Sequence, residues 1–366
     1  MLLMLTSFFS AILLCEALLR INLPIPTQLF HFDPLSLEFD IKMMAHRFKP
    51  QISTYMTNGL FHEIVNTNEM GYRVEDTPLN SPKNLSLPVK IAAIGDSQTF
   101  GHGIPNSDTW VSKLAHKINQ PISNTASFGW GPYQYSAMHS HEIADSRANL
   151  VLLGISDNDI CNARPEIKPS IKNIKDVERA AAMTHWEYFT RKPVEYLSRH
   201  TAVGNITYRA ARSVLKYSDF GRSEAGIWLQ TNVLGRKKNQ ILTQDLNDPL
   251  GCIDSFIDWM QSFSSQVNRS KQTLVVVLIP HGTRIMLKSK KIEHQLYETA
   301  THNLLMLAQR NNFYVVNPTD ALINFYRDEG FPSRTSLILP FDGHNTGLAN
   351  EIIASEIASV MVDRNL

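Results

Sequence analysis

Val89-Lys90-Ile91-Ala92-Ala93-Ile94-Gly95-Asp96-Ser97-Gln98-Thr99-Phe100-Gly101 runs an apolar strand directly into a serine within a glycine-bearing turn. The stretch from Val89 to Ile94 reads as a short buried strand, and Gly95 and Gly101 release the backbone on either side of Ser97. A serine at such a strand end exposes its hydroxyl and its own N–H together, so Ser97 is a candidate nucleophile. Taken alone, Gly-Asp-Ser reads as an ordinary turn, because loops favour those residues. Asp96 reads as a cap or a support for the turn rather than as a proton-transfer group.

Outward from this stretch, apolar runs at 122–127, 149–155, 273–279 and 313–317 alternate with helical stretches. Continuous runs such as Thr273-Leu274-Val275-Val276-Val277-Leu278-Ile279 predict a parallel sheet covered on both faces. The expected fold class is α/β, a three-layer α/β/α sandwich with a parallel sheet of flavodoxin-like order and its functional loops at the carboxyl ends of the strands. The expected catalytic domain covers residues 86–366, and residues 21–85, punctuated by Pro24, Pro26, Pro34 and Pro82, read as a stalk and entry segment. Residues 164–248 interrupt the alternation and read as a helical insertion or lid. Lys and Arg number 15 there against 9 Asp and Glu, a net +6 in a chain of net +1. Trp186, Tyr188, Phe189, Tyr196, Tyr208 and Trp228 punctuate it. Two readings stand: a lid that handles an anionic or carbohydrate substrate, or a helical cap with core aromatics and solvated charges.

A serine nucleophile needs a base, a group to orient the base, and donors for the oxyanion. Phe341-Asp342-Gly343-His344-Asn345 precedes an apolar-periodic helix carrying Leu348, Ile352, Ile353, Ile357 and Val360, which puts Asp342 and His344 in a loop suited to an orienting carboxylate and a base. Gly129, in Asn124-Thr125-Ala126-Ser127-Phe128-Gly129, follows a second strand and offers an unobstructed N–H. Asn158 follows Leu150-Val151-Leu152-Leu153-Gly154-Ile155 and offers a carboxamide donor, with Asp159 as a salt-bridged neighbour that holds its loop. Singly, Asn158 reads as a turn residue; the four blocks in this order carry the weight.

This set resembles the SGNH, or GDSL, hydrolase superfamily, whose four marker residues map onto Ser97, Gly129, Asn158 and His344. Asn68-Glu69-Met70-Gly71-Tyr72-Arg73, Gly101-His102-Gly103 and Gln134 resemble a membrane-anchored bacterial branch of it. The resemblance covers residues 60–160 and 270–360; Ala126 and Phe128 depart from the common glycine and proline. It implies a serine esterase in which His344 deprotonates Ser97, Asp342 orients His344, and Ser97 N–H, Gly129 N–H and Asn158 hold the oxyanion. The substrate implied is an acylated carbohydrate or small ester, most simply an acetyl ester on an envelope or exported polysaccharide, cleaved outside the cytoplasm. Transfer of the acyl group to a sugar hydroxyl, and a non-catalytic carbohydrate-binding scaffold, are the alternatives.

The length of 366 residues, 43% hydrophobic content and near-zero net charge describe a folded chain and exclude disordered and generally nucleic-acid-binding classes. Met1 to Leu19 holds no Lys or Arg and approaches the ~20-residue length of a spanning helix, so residues 1–20 read as a membrane anchor, with a cleavable signal as the competitor. Of three cysteines, Cys15 belongs to this segment, leaving Cys161 and Cys252 to pair if the domain is exported. No metal-ligand spacing, phosphate-binding loop or dinucleotide fingerprint occurs, so no cofactor or metal is expected. His139 and His141, two apart on an expected helix, point to different faces and read as solvated.

Overall fold

The computed structural model describes residues 10–19, 36–57, 61–74, 89–165, 249–280, 292–329, 336–339 and 343–366, together with 197, 201, 203–204 and 207. Asp342 and nearly all of the 164–248 insertion lie outside the described residues, as do residues 1–9 of the expected anchor. The chain divides into two compact units. One comprises Met1–Pro34, Thr57–His62 and Ile171–Asp245; within it residues 10–19 are helical, with Leu13, Leu14 and Leu18 exposed. Among the described residues no helix is long and apolar enough to cross a membrane. The other comprises Leu35–Met56, Glu63–Ser170 and Leu246–Leu366, and it holds Ser97.

Five strands of this second unit run parallel: β6 (Ile91–Ile94), β7 (Ile122–Asn124), β8 (Leu150–Ser156), β9 (Thr273–Ile279) and β10 (Tyr314–Val316). Their spatial order is β7-β6-β8-β9-β10, the doubly wound flavodoxin-like order expected. The register is continuous, with Ile91 opposite both Ile122 and Leu150, and Leu150 opposite Thr273. Four of the observed strands fall within a residue or two of the runs read from sequence, because a parallel strand buried on both faces is largely apolar, whereas β7, Ile122-Ser123-Asn124, is polar at two positions and ends three residues before the run read there.

Side-chain alternation divides the core. Ala92, Ile94, Val151, Leu153, Leu274 and Val276 face one layer, where α3 (Pro132–Met138), α5 (Pro249–Arg269) and α6 (Ile292–Asn311) supply Tyr135, Met138, Phe256, Phe263 and Leu304. Ile91, Ala93, Leu152, Val275 and Val277 face the other, where α2 (Trp110–Ile118), α7 (Thr319–Asp328) and α8 (Gly347–Asp363) supply Trp110, Leu114, Leu322, Ile353 and Ile357. Thr109 caps α2 by accepting from Ser112 N at 3.1 Å, and Thr346 caps α8 by accepting from Ala349 N at 3.4 Å. The helix expected after His344 is α8, although Leu348 turns outward.

Three sequence readings are corrected. Residues 36–74 are not a stalk: β1 (Leu37–Asp40) and β2 (Ala45–Phe48) form a hairpin, and β3 (Ser53–Thr57), β4 (His62–Thr67) and β5 (Arg73–Val74) extend the sheet beyond β7. The sheet is therefore mixed, since β5 runs antiparallel to β7 and β4 antiparallel to β5. His139 is not solvated. It lies fully buried in a π-helical turn (His139–Ile143) that follows α3, with Nε2 2.8 Å from Gln272 Oε1 and Nδ1 2.7 Å from Gln266 Nε2. Two amides satisfy both ring nitrogens, and burial lowers its pKa, so the neutral ring is the stable form; His141 is exposed, as expected.

Cys161, on α4 (Asp159–Asn162), and Cys252, on α5, form a disulfide with Cα atoms 4.6 Å apart and a sequence separation of 91. A cross-link of that span is worth about 4.6 kcal/mol in the chain-entropy picture, an upper figure here because the closed loop contains most of another compact unit. Replacing both cysteines by serine should lower the denaturant-unfolding free energy by about 2–4 kcal/mol. A loss under about 0.5 kcal/mol would show that packing between α4 and α5 already does the work of the cross-link.

Candidate active site

Ser97 is the first residue of α1 (Ser97–Phe100), which begins where β6 ends. Asp96 caps it, accepting from Gln98 N at 2.9 Å, in line with the supporting role read from sequence. The helix sits unusually close to the sheet. Thr99, fully buried, fills a notch between Gly95 and Gly154 on the adjacent strands, where a Cβ on either glycine would collide with its side chain. Asn124 Nδ2 donates to Thr99 O at 3.1 Å, so β7 also fixes the helix.

His344 Nε2 lies 2.8 Å from Ser97 Oγ, within hydrogen-bond reach, so the two residues read as nucleophile and base are together although 247 positions apart. For Nε2 to accept the serine proton the ring must carry its own proton on Nδ1. The His102 ring lies 4.4 Å from the His344 ring between centroids, tilted by 42°, and is buried. The loop after β7 follows the nucleophile turn, with Ser127 N donating to Gly95 O at 3.3 Å. It leads to Gly129, which is exposed and adopts φ +68°, a conformation that favours glycine. Trp130 Nε1 donates to His46 O at 3.1 Å and Phe128 meets the Phe48 ring edge-on, so the β1–β2 hairpin buttresses this loop. Gln134 Oε1 accepts from Gly131 N at 3.1 Å.

Asn158 is exposed and directly precedes α4, placing its carboxamide in the loop after β8. Ser97, Gly129 and Asn158 thus occupy the loops after β6, β7 and β8, three neighbouring parallel strands, at the point where the strand order reverses. Asp159 departs from its expected role. It is fully buried, and its partners are Tyr135 and Ser156 rather than a cation: both carboxylate oxygens accept from Tyr135 Oη at 3.1 Å, and Oδ2 accepts from Ser156 N at 2.9 Å. Burial, then the nearby Asp96 charge, holds the Asp159 carboxyl well above its usual pKa. Burial raises Asp96 as well, partly offset by the Gln98 N–H, and burial beside Asp159 keeps the Tyr135 hydroxyl protonated and donating. Gln98 and Thr99 lie in the stretch that carries Ser97 and Tyr135 lies in none of the quoted blocks, and only the packing reveals what the three side chains do; among the described residues no group of side chains is suited to hold a metal ion.

The fold and site together describe a doubly wound α/β unit with a serine–histidine pair at its switch point. No family model matches the chain, and no curated protein matches it. Among solved structures it is similar to one titled as a lipolytic protein of G-D-S-L family from Desulfitobacterium hafniense DCB-2, at 11% identity and TM-score 0.40 over 74% of this chain and 99% of that one. The acetylxylan esterase Axe2 from Geobacillus stearothermophilus matches at 10% identity and TM-score 0.41 over 75% and 95%, and the acetyl xylan esterase AlAXEase at 10% and 0.40 over 74% and 99%.

The buried carboxyls make pH a probe of the site. The folded-state pKa of Asp159 is raised, so the native protein keeps a proton that the unfolded chain releases above about 4. Its contribution to stability therefore falls as pH rises from about 4 through the raised native value. Asp159→Asn removes this slope and also the charge that couples Asp159 to Asp96, so the comparison reads the buried pair against Asp96 alone. The stability of wild type relative to Asp159→Asn should decline from pH 4.5 to pH 7.5 in urea unfolding. A pH-independent difference would mean that Asp159 is ionised in the native state throughout.

Proposed function

We propose that this chain is a serine hydrolase that cleaves oxygen esters, and the contact of 2.8 Å between Ser97 Oγ and His344 Nε2 at the carboxyl end of β6 carries the reading. His344 takes the serine proton as Ser97 Oγ attacks the acyl carbon. The backbone N–H groups of Ser97 and Gly129 and the carboxamide of Asn158 receive the oxyanion, each from its own strand-end loop. His344 then returns the proton to the departing alkoxide, leaving an acyl-serine, and water activated by the same imidazole releases the acid. Asp342, two residues before the base, is the proposed orienting carboxylate.

The substrate class we assign is an acylated carbohydrate or small ester, with an acetyl ester on envelope or exported polysaccharide as the narrower proposal. The basic, aromatic-rich character of residues 164–248 supports it. The Cys161–Cys252 disulfide supports an oxidising compartment outside the cytoplasm, since such bonds rarely persist in reducing cytosol. The apolar run Met1 to Leu19 supports attachment to a membrane through residues 1–20.

A fluorophosphonate probe, which reacts with activated serines, should label the wild-type protein and fail to label Ser97→Ala. Labelling that persists in Ser97→Ala would remove the nucleophile assignment. Asn158→Ala should lower kcat on a cleaved ester by roughly 10²-fold or more with little change in KM. Asn158→Asp should be at least as harmful, because an ionised carboxylate cannot donate and repels the developing charge. An aspartate variant with near-wild-type turnover and an unchanged circular dichroism spectrum would assign Asn158 to its turn and leave the oxyanion without a third donor.

A further inference from the structure

We infer that Gln98 is a positioning residue that sets His344 against Ser97, a role that rests on the serine-hydrolase reading and deepens it. The Gln98 carboxamide bonds to the backbone on both sides of the histidine. Nε2 donates to Gly343 O at 3.2 Å, and Oε1 accepts from Asn345 N at 3.2 Å. A carboxamide presents a donor and an acceptor side by side, as a peptide unit does, so it can pair with a chain segment as a neighbouring strand would. The opposite edge of the same segment is paired by main chain: Leu339 N donates to His344 O at 2.9 Å, Thr346 N donates to Leu337 O at 3.0 Å, and Ile338 bridges Asn345. The backbone that carries His344 is therefore gripped from two sides, one of them a side chain.

Gln98 is well placed for this. It directly follows Ser97, its own N–H is held by Asp96 Oδ1 at 2.9 Å, and it is only 8% exposed. The turn that fixes Ser97 thus also fixes the group that grips residues 343–345, and the 247-residue separation between nucleophile and base is spanned by one side chain. Neither contact of the carboxamide is to the His344 ring, so Gln98 acts on the base through its backbone.

The test uses the full-length protein with Gln98→Met, which keeps the length and removes both bonds, and Gln98→Glu, which keeps the acceptor for Asn345 N but turns a carboxylate oxygen toward Gly343 O. Kinetics on p-nitrophenyl acetate and the rate of fluorophosphonate labelling are measured well below each variant's melting temperature. In both variants kcat and the labelling rate should fall together by roughly 10- to 100-fold, with KM changed by less than about 2-fold. In a His344→Ala background, Gln98→Met should change the residual rate by less than about 2-fold, because no base remains to be placed. A Gln98→Met protein that melts earlier but turns over and labels like wild type would reduce Gln98 to a packing role. A loss that persists undiminished in the His344→Ala background would overturn action through His344. Absence of Ser97 labelling in the wild type would overturn the hydrolase reading and this role with it, whereas equal labelling of wild type and Gln98 variants overturns the role alone.

Discussion

Three carbonyl oxygens, those of Phe100, Gly101 and Ile104, converge on the guanidinium of Arg73 at 2.8, 2.6 and 2.7 Å. Arg73 is 2% exposed, and its guanidinium lies 5.0 Å over the Phe100 ring. A helix of four residues has no stability of its own, because the entropy of nucleation outweighs the single turn it gains. α1 persists because it is tied at every point: Asp96 caps its start, Thr99 locks into the Gly95–Gly154 notch, and Arg73 gathers the carbonyls at and beyond its end. A cation at a helix C-terminus is also where the peptide dipoles favour one. Removing it would leave buried carbonyls without their donor, so the orientation of Ser97 depends on a residue two strands away in the sheet.

That dependence gives the antiparallel extension a purpose. The turn before β5 is built by Asn68, whose Oδ1 accepts from Met70 N at 2.9 Å and Tyr72 N at 3.0 Å, and it sends Arg73 into the two-residue strand β5 beside β7. Arg47 reinforces the turn from outside, donating to Met70 O and pairing with Glu142 at 2.6 Å, while Tyr72 Oη donates to the same carboxylate. Desolvation costs are high for such buried charges unless each is matched, and here they are matched by one another and by main chain. The first hairpin, the extension and the turn that carries Ser97 therefore form one continuous polar and aromatic joint.

The parallel strands were legible because burial on both faces leaves nothing but apolar residues in Leu150–Ser156 and Thr273–Ile279, apart from their ends. Ser97 and His344 stood out because one follows an unmistakable strand and the other precedes an apolar-periodic helix, and the structure brings their side chains within 2.8 Å. Residues 36–74 were not, since their strands are short and polar, as in His62-Glu63-Ile64-Val65-Asn66-Thr67, and their pairing partners are fixed by tertiary contacts rather than by alternation. His139 misled for a related reason. Helical spacing tells which face a residue shares, but the two glutamines that make its burial tolerable come from α5 and from the residue before β9, over 120 positions away. Asp159 read as a salt-bridged neighbour that holds the Asn158 loop; a tyrosine hydroxyl and a backbone N–H take the place of the cation here.

The two buried carboxyls explain why the loops carrying Ser97 and Asn158 keep their shape at the switch point. Each carboxyl reaches along its own chain to a backbone donor at the strand-to-loop transition, Asp96 to Gln98 N after β6 and Asp159 to Ser156 N at the end of β8. Backbone held in this way keeps both strand-end loops in one arrangement, because each carboxyl accepts from an N–H two or three residues away in its own chain. The Asp96 charge is the second cause, after burial, that raises Asp159, and the Tyr135 hydroxyl donates to both Asp159 oxygens. Burial raises Asp96 too, and the Gln98 N–H and the nearby His344 offset only part of that rise, so the loop is stiffened without a salt bridge.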